Sequence, residues 1–319
     1  MKERIVILDA GSVGDDCTWP DFARLGEVTR YEISSTRDVV ERAKNATMLL
    51  TNKVYLPKEI LEALPHLRYV GCISTGYNQV DLPTAAAHGI TVCNVPAYST
   101  ASVMQHTFAL ILDLASKITM HVNAVEQGQW EKSPQFCFWL QPAVELAGKT
   151  LGVVGFGDTG SAVARMGHAF GMNVLAYAPR PKPLPEYTPF AFVGLEELFA
   201  QSDVVTLHCP STPESKEMVN AALLSRMKPS AFIVNTARGD LIQERDLRTA
   251  LEQGTIAGAG LDVVSKEPMP AHHILHGAPN CLITPHVAWS SVEARNRLLH
   301  GVFTNICNFL AGAPTNVVK

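Results

Sequence analysis

Short apolar runs alternate with amphipathic stretches along nearly the whole chain. In the first third, Arg4–Leu8, Glu27–Ile33, Thr47–Leu50, Tyr69–Ile73 and Thr91–Val95 predict strands, and Arg37–Lys44 and Lys58–Leu64 predict helices between them. From Thr150 the rhythm restarts with LGVVGF, NVLAYA, FAFV, VVTLHC, FIVNTA, AGAGLDV and CLITP. Strand–helix alternation of this kind predicts parallel sheets with right-handed crossovers and helices on both faces. The fold class is therefore α/β, with two successive doubly wound parallel-sheet domains and no short-period repeat.

Ser99–Met120, apolar and without Gly or Pro, predicts one connecting helix, and Ser290–Leu310 a second helix-length tail. The second sheet already has seven candidate strands, so the tail is expected to cross back and cover the first. Residues 1–99 with 288–319 then form a discontinuous domain, and residues 100–287 the other. The segment Asn123–Leu146, with Trp130, Phe136, Phe138 and Trp139, is too long and aromatic for a plain linker. It reads either as a packed surface loop or as a subunit-contact arm.

Composition narrows the classes. A chain of 319 residues suits two domains, and 47% hydrophobic with 18% charged residues is a globular balance. A net charge of -4 argues against nucleic acid as the partner. The seven scattered cysteines include no Cys-x-x-Cys pair, the usage of a reducing cytosol and not of a disulfide framework or a zinc site, so no metal site is expected. The start, MKERIVILDAG, runs straight into a strand, and no apolar run is long enough to span a bilayer. A soluble, cytoplasmic protein without a membrane partner is expected.

Candidate chemistry begins at GFGDTG, Gly155 to Gly160, between an apolar strand and the amphipathic stretch Ser161–Phe170. That context is the one a dinucleotide-binding turn needs. Gly155 permits the tight turn, and Gly157 lets the backbone approach a pyrophosphate. Gly160 lets the helix pack on the strand, and the helix N-terminus offers N–H groups to the phosphates. The turn thus nominates Gly155, Phe156, Gly157, Asp158, Thr159 and Gly160 for the cofactor. About twenty residues on, an acidic residue normally holds the ribose. Here Tyr177-Ala178-Pro179-Arg180 contains no carboxylate.

Ligands of wound sheets bind beyond the carboxyl ends of strands. VVTLHC leads to His208-Cys209-Pro210, FIVNTA to Arg238, AGAGLDV to Asp262 and then Glu267, and CLITP to His286. Reducing a 2-keto acid takes a hydride from a nicotinamide and a proton for the carbonyl oxygen. A histidine donates that proton near neutral pH, a carboxylate on its other nitrogen fixes the tautomer, and an arginine grips the substrate carboxylate and polarises the carbonyl. His286, Glu267 and Arg238 fill these roles.

These residues resemble the D-isomer-specific 2-hydroxyacid dehydrogenases. NTARGDLIQERDLRTALEQGTIAGAGLDVVSKEP (235–268) is similar to the family's long signature, ITPHVAW (283–289) to its histidine motif and GKTLGVVGFGDTGSAVA (148–164) to its cofactor turn. STGYNQVD (74–81) is similar to its substrate loop and SVMQHTFALIL (102–112) to the start of its connecting helix. The resemblance spans essentially the whole chain. FCFWLQPAVELAGKTLG is most similar to glycerate dehydrogenases and hydroxypyruvate reductases.

The resemblance implies a Rossmann cofactor domain beside a flavodoxin-like substrate domain. It implies Arg238, Glu267 and His286 as the catalytic set, and Asp262 holding the nicotinamide carboxamide. His208, Cys209, Pro210, Thr236 and Ala237 would line the cofactor. N–H groups at Ser74, Thr75 and Gly76 would hold the substrate carboxylate in a cleft between domains. It further implies a homodimer built by the connecting helix and the aromatic arm, with Trp139 reaching towards the partner's site. Lys53 is either a pocket residue or a solvated lysine.

Three positions depart from the family pattern. Thr159 stands where an aliphatic residue is usual, Gln105 where a glutamate is common, and Ala178 where the ribose-binding aspartate belongs. Nothing in the sequence explains Gln105. At Ala178 nothing repels a 2′-phosphate, and Arg180 and Lys182 add positive charge, which favours NADP(H) or dual use over NAD(H) alone. The expected reaction interconverts hydroxypyruvate or glyoxylate with D-glycerate or glycolate. The alternatives are another D-2-hydroxyacid dehydrogenase, for D-lactate or phosphoglycerate, and a nucleotide-sensing corepressor-like regulator.

Overall fold

Five parallel strands build the first sheet: β1 (Glu3–Ile7), β2 (Gly26–Arg30), β3 (Met48–Thr51), β4 (Tyr69–Cys72) and β5 (Thr91–Cys93), in the order β2-β1-β3-β4-β5. A computed structural model supplies these coordinates and describes residues 2–318. Seven parallel strands build the second: β6 (Thr150–Val154), β7 (Asn173–Tyr177), β8 (Phe190–Phe192), β9 (Val204–Leu207), β10 (Phe232–Asn235), β11 (Gly258–Leu261) and β12 (Cys281–Ile283). Their order is β12-β11-β10-β9-β6-β7-β8. The chain divides into two units, residues 1–99 with 289–319 and residues 100–288.

Each sheet is covered on both faces, because successive side chains of a strand point opposite ways. In the first unit Ile5 and Ile7 join one buried cluster while Val6 joins the other. The tail helix, Val292–Leu310, fills the first of these with Leu298, Val302 and Ile306. In the second unit Val205 and Leu207 face one cluster and Val204 the opposite one. The connecting helix, Thr100–Ser116, covers that opposite face with Phe108, Ile111 and Leu114. β9, β10 and β11 are buried at every residue, as strands of a parallel sheet covered on both sides must be.

The single helix expected over Ser99–Met120 is two helices, Thr100–Ser116 and Ile118–Glu126, bent by 62°. Lys117 breaks it in the left-handed conformation, φ 57° and ψ 37°. The Asp113 carboxylate starts the second helix, accepting the Thr119 N–H at 2.8 Å and its hydroxyl at 2.6 Å. Among the described residues no single helix is long and apolar enough to cross a membrane.

The sheet order places the site. In the second unit the chain winds from β6 out to β8, then returns to β9 beside β6 and winds the other way. The crevice at such a reversal, beyond the carboxyl ends of the strands, is where wound sheets bind ligands. β6 leads there into Gly155 and β9 into His208.

Candidate active site

The glycine turn has the geometry of a phosphate cradle. Gly155 sits at φ 94°, where a side chain would be strained, and a Cβ there would lie 2.7 Å from the Cys209 N–H nitrogen. A Cβ on Gly160 would stand 1.9 Å from the Gly155 carbonyl oxygen, so the helix can seat on the strand only with glycine there. A Cβ on Gly157 would meet nothing within 4 Å, which leaves the space in front of it open. Gly157 caps the helix Asp158–Ala169 without any side-chain hydrogen bond, so its first-turn N–H groups face outwards for an anion. Phe156 turns away and packs against Phe190 and Phe192, while Asp158 is exposed and Thr159 half-buried. These residues fit a dinucleotide pyrophosphate.

Half-buried Ala178 follows the end of β7, and Arg180 and Lys182 beyond it are exposed. At the end of β9, both ring nitrogens of His208 are buried with no hydrogen-bond partner among the described residues. Burial lowers its pKa to about 3, so the ring is neutral. Burial also pushes the Cys209 thiol up to about 11, which makes it an unreactive thiol. The Pro210 carbonyl accepts the Ser215 hydroxyl at 2.8 Å.

Arg238, Asp262 with Glu267, and His286 follow three adjacent strands, β10, β11 and β12. The wholly buried Asn235 side chain shapes the first loop, accepting the Ala237 N–H at 3.0 Å and donating to the Arg238 carbonyl at 2.8 Å. Arg238 is half-buried, with Nη1 donating to the Ala237 carbonyl at 2.7 Å. Glu267 Oε1 accepts the Val264 N–H at 3.2 Å, and Oε2 lies 2.6 Å from His286 Nδ1. A carboxylate only accepts, so Nδ1 carries the hydrogen and Nε2 is the atom where the ring gains or loses a proton.

Asp262 is buried, at 1% exposure. Its Oδ1 accepts the Thr284 hydroxyl at 2.6 Å and the Val287 N–H at 2.9 Å, and its Oδ2 accepts the Ala288 N–H at 2.8 Å. His286 has φ 55°, and its own N–H donates to the Asp262 carbonyl at 2.8 Å. The side chain nominated for the cofactor therefore also shapes the loop that carries the histidine.

In the first unit, Ser74–Gly76 follows β4. The Ser74 hydroxyl donates to the Gly76 carbonyl at 2.5 Å, Thr75 Oγ1 to the Val95 carbonyl at 2.9 Å, and Asn94 Nδ2 to the Thr75 carbonyl at 2.6 Å. The loop's carbonyls and hydroxyls are thus tied down, while its three N–H groups have no acceptor among the described residues. Lys53 is exposed on the loop after β3. Its N–H and that of Asn52 donate to buried Asp9, at 2.6 and 2.9 Å. Burial raises the Asp9 pKa, opposed by these N–H groups. Sequence reading missed Asp9, although it directly follows an apolar strand, the position that was informative in the second sheet.

The family profile described as D-isomer specific 2-hydroxyacid dehydrogenase, NAD binding domain, matches residues 108–288. A hydroxypyruvate reductase of Blautia hydrogenotrophica is 43% identical over 99% of this chain and 99% of its own. A glycerate dehydrogenase of Methylorubrum extorquens is 41% identical over 100% of both. Among solved structures, an NADPH-dependent glyoxylate/hydroxypyruvate reductase of Sinorhizobium meliloti, in complex with NADP and malonate, has a TM-score of 0.86 at 29% identity. That match covers 100% of this chain and 97% of the other.

Proposed function

The chain belongs to the D-isomer-specific 2-hydroxyacid dehydrogenases, and on that basis we propose that it reduces hydroxypyruvate and glyoxylate to D-glycerate and glycolate. It is an NAD(P)-dependent oxidoreductase acting on the CH–OH group of small 2-hydroxy acids and on the matching 2-keto acids. The two substrates are those named for its relatives.

The Glu267–His286 pair, 2.6 Å apart, carries the chemical reading. When bound, the reduced nicotinamide supplies the hydride. His286 Nε2 gives the proton to the carbonyl oxygen, and Glu267 stabilises the imidazolium and holds the ring by Nδ1. Arg238 grips the substrate carboxylate and polarises the carbonyl. The open N–H groups of Ser74, Thr75 and Gly76 take a carboxylate. The residues from Gly155 to Gly160, with His208, Cys209, Pro210, Thr236, Ala237 and Asp262, hold the cofactor. Ala178, which cannot repel a 2′-phosphate, and Arg180 favour NADP(H) or dual use.

The remaining assignments rest on surfaces and composition. Phe136 and Trp139 of the arm are 92% and 69% exposed, and Ile118, Val122 and Val125 of the adjoining helix are exposed too. An apolar surface of this kind supports a homodimer. All seven cysteines are free thiols, which supports a cytoplasmic setting, and the charge of -4 speaks against nucleic acid.

The test is the oxidation of NADH and NADPH by purified protein with hydroxypyruvate, glyoxylate and pyruvate. Turnover fastest with the first two is expected. Faster turnover of pyruvate would move the substrate to D-lactate. No turnover of any 2-keto acid with either cofactor would overturn the reading.

A further inference from the structure

The connecting helix does more than cover the second sheet. Ser102 and His106, four residues apart, lie on one face of it. The Ser102 hydroxyl donates to the Ala288 carbonyl at 2.7 Å, and His106 Nε2 stands 2.9 Å from Thr284 Oγ1. The helix thus grips both ends of the segment 284–288, whose middle residue is His286. One position further on, Thr107 Oγ1 meets Thr236 Oγ1 at 2.9 Å, on the loop that leads to Arg238.

The direction of these hydrogen bonds is fixed by their partners. Asp262 accepts the only hydroxyl hydrogen of Thr284, at 2.6 Å. Thr284 Oγ1 can then meet His106 only as an acceptor, so Nε2 of His106 carries a hydrogen and donates it. The same Nε2 is 3.5 Å from Asp262 Oδ1, which adds a favourable interaction with the carboxylate. Asp262 in turn accepts the N–H groups of Val287 and Ala288, the two residues after His286. A residue with a Cβ keeps φ 55° only while its surroundings hold it there.

We propose that His106 is a positioning residue for the proton transfer: through Thr284 and Asp262 it holds the backbone that aims His286. The inference rests on the reading of His286 as proton donor. Without the His106 donor, the Thr284 oxygen loses one of the two partners that hold it in place. The buried Asp262 carboxylate then loses the His106 N–H beside it and keeps Thr284, its shortest donor, less firmly placed, so the segment 286–288 relaxes. The Arg238 loop has its own buried support in Asn235, so substrate binding is spared.

Three variants test this: His106→Leu, His106→Gln and His106→Asn, each assayed for kcat, KM and cofactor affinity. In His106→Leu, kcat is expected to fall about 10- to 100-fold, the scale of a small misplacement of a reacting group, with KM within about twofold. His106→Gln reaches as far as Nε2 with an N–H donor and is expected to recover most of the loss. His106→Asn is too short to do so and is expected to resemble His106→Leu. A merely structural residue would lower Tm and leave kcat of the folded fraction unchanged. If His106→Leu does not fold, the Gln and Asn variants decide alone. Undiminished kcat in the Leu or Asn variant, or equal losses in Gln and Asn, overturns the inference. Wild-type protein inert towards every 2-keto acid would overturn the underlying reading as well, whereas active wild-type with unaffected variants would sink this inference alone.

Discussion

Glu267 Oε2 lies 2.6 Å from His286 Nδ1, and its other oxygen is held by the Val264 N–H. The contact ties the ring's tautomer to the charge of one carboxylate, which makes the pair testable by removing that charge.

Glu267→Gln keeps the shape and removes the charge. The imidazolium then loses the carboxylate that steadies it while the ring holds the Nε2 proton. Reduction needs that proton and is expected to fail at lower pH than in the wild type. Oxidation needs the neutral ring and is expected to set in at lower pH. The profiles of kcat/KM against pH in both directions check this, and unshifted profiles would exclude the pairing.

Arg238→Lys keeps one positive charge and loses the planar fork. Because the fork is assigned both to the substrate carboxylate and to the carbonyl oxygen, kcat and KM should worsen together. The expected loss in kcat/KM is on the order of 100-fold, the scale of removing one donor from a developing oxyanion. A change confined to KM would leave Arg238 with binding alone.

Ala178→Asp restores a carboxylate beside the ribose end of the turn. It should raise kcat/KM for NADH and depress it for NADPH, since an aspartate there accepts from the ribose diol and repels a 2′-phosphate. The ratio of the two, measured in wild type and variant, is the readout. An unmoved ratio would detach this position from cofactor choice.

Gly160→Ala places a methyl 1.9 Å from the Gly155 carbonyl oxygen, a backbone atom that cannot swing aside. Overpacking of this kind costs about 1–3 kcal/mol, and here the strain falls on the phosphate turn. Lower stability in urea and weaker cofactor binding are expected together. Unchanged dinucleotide affinity would show that the turn tolerates a shift of its helix.

How much of this was legible depended on how local each signal was. Runs such as VVTL and FIVN are buried on both faces of a parallel sheet, so their apolar continuity survives in the sequence as a strand. The polar ends of those strands were equally plain, and Glu267 and His286 stand only 19 residues apart. Lys117 was not legible: no Gly or Pro marks the break, and its cause is the Asp113 side chain reaching six residues forward to Thr119. His106 looked like part of an ordinary apolar helix, because Thr284, its partner, lies 178 residues away. Neither sequence nor structure explains Gln105, which is exposed.

The tail helix sets an order on the protein's birth. Residues 100–288 are contiguous and can complete their seven-stranded sheet as soon as they leave the ribosome. The strands made first must wait, because Leu298, Val302 and Ile306, which close one face of their sheet, are translated after all of the second unit. At typical translation speeds that delay is on the order of tens of seconds. Throughout it Ile5, Ile7 and Tyr69 lack the cover of those three residues, so the half-made chain exposes apolar surface that the finished fold buries.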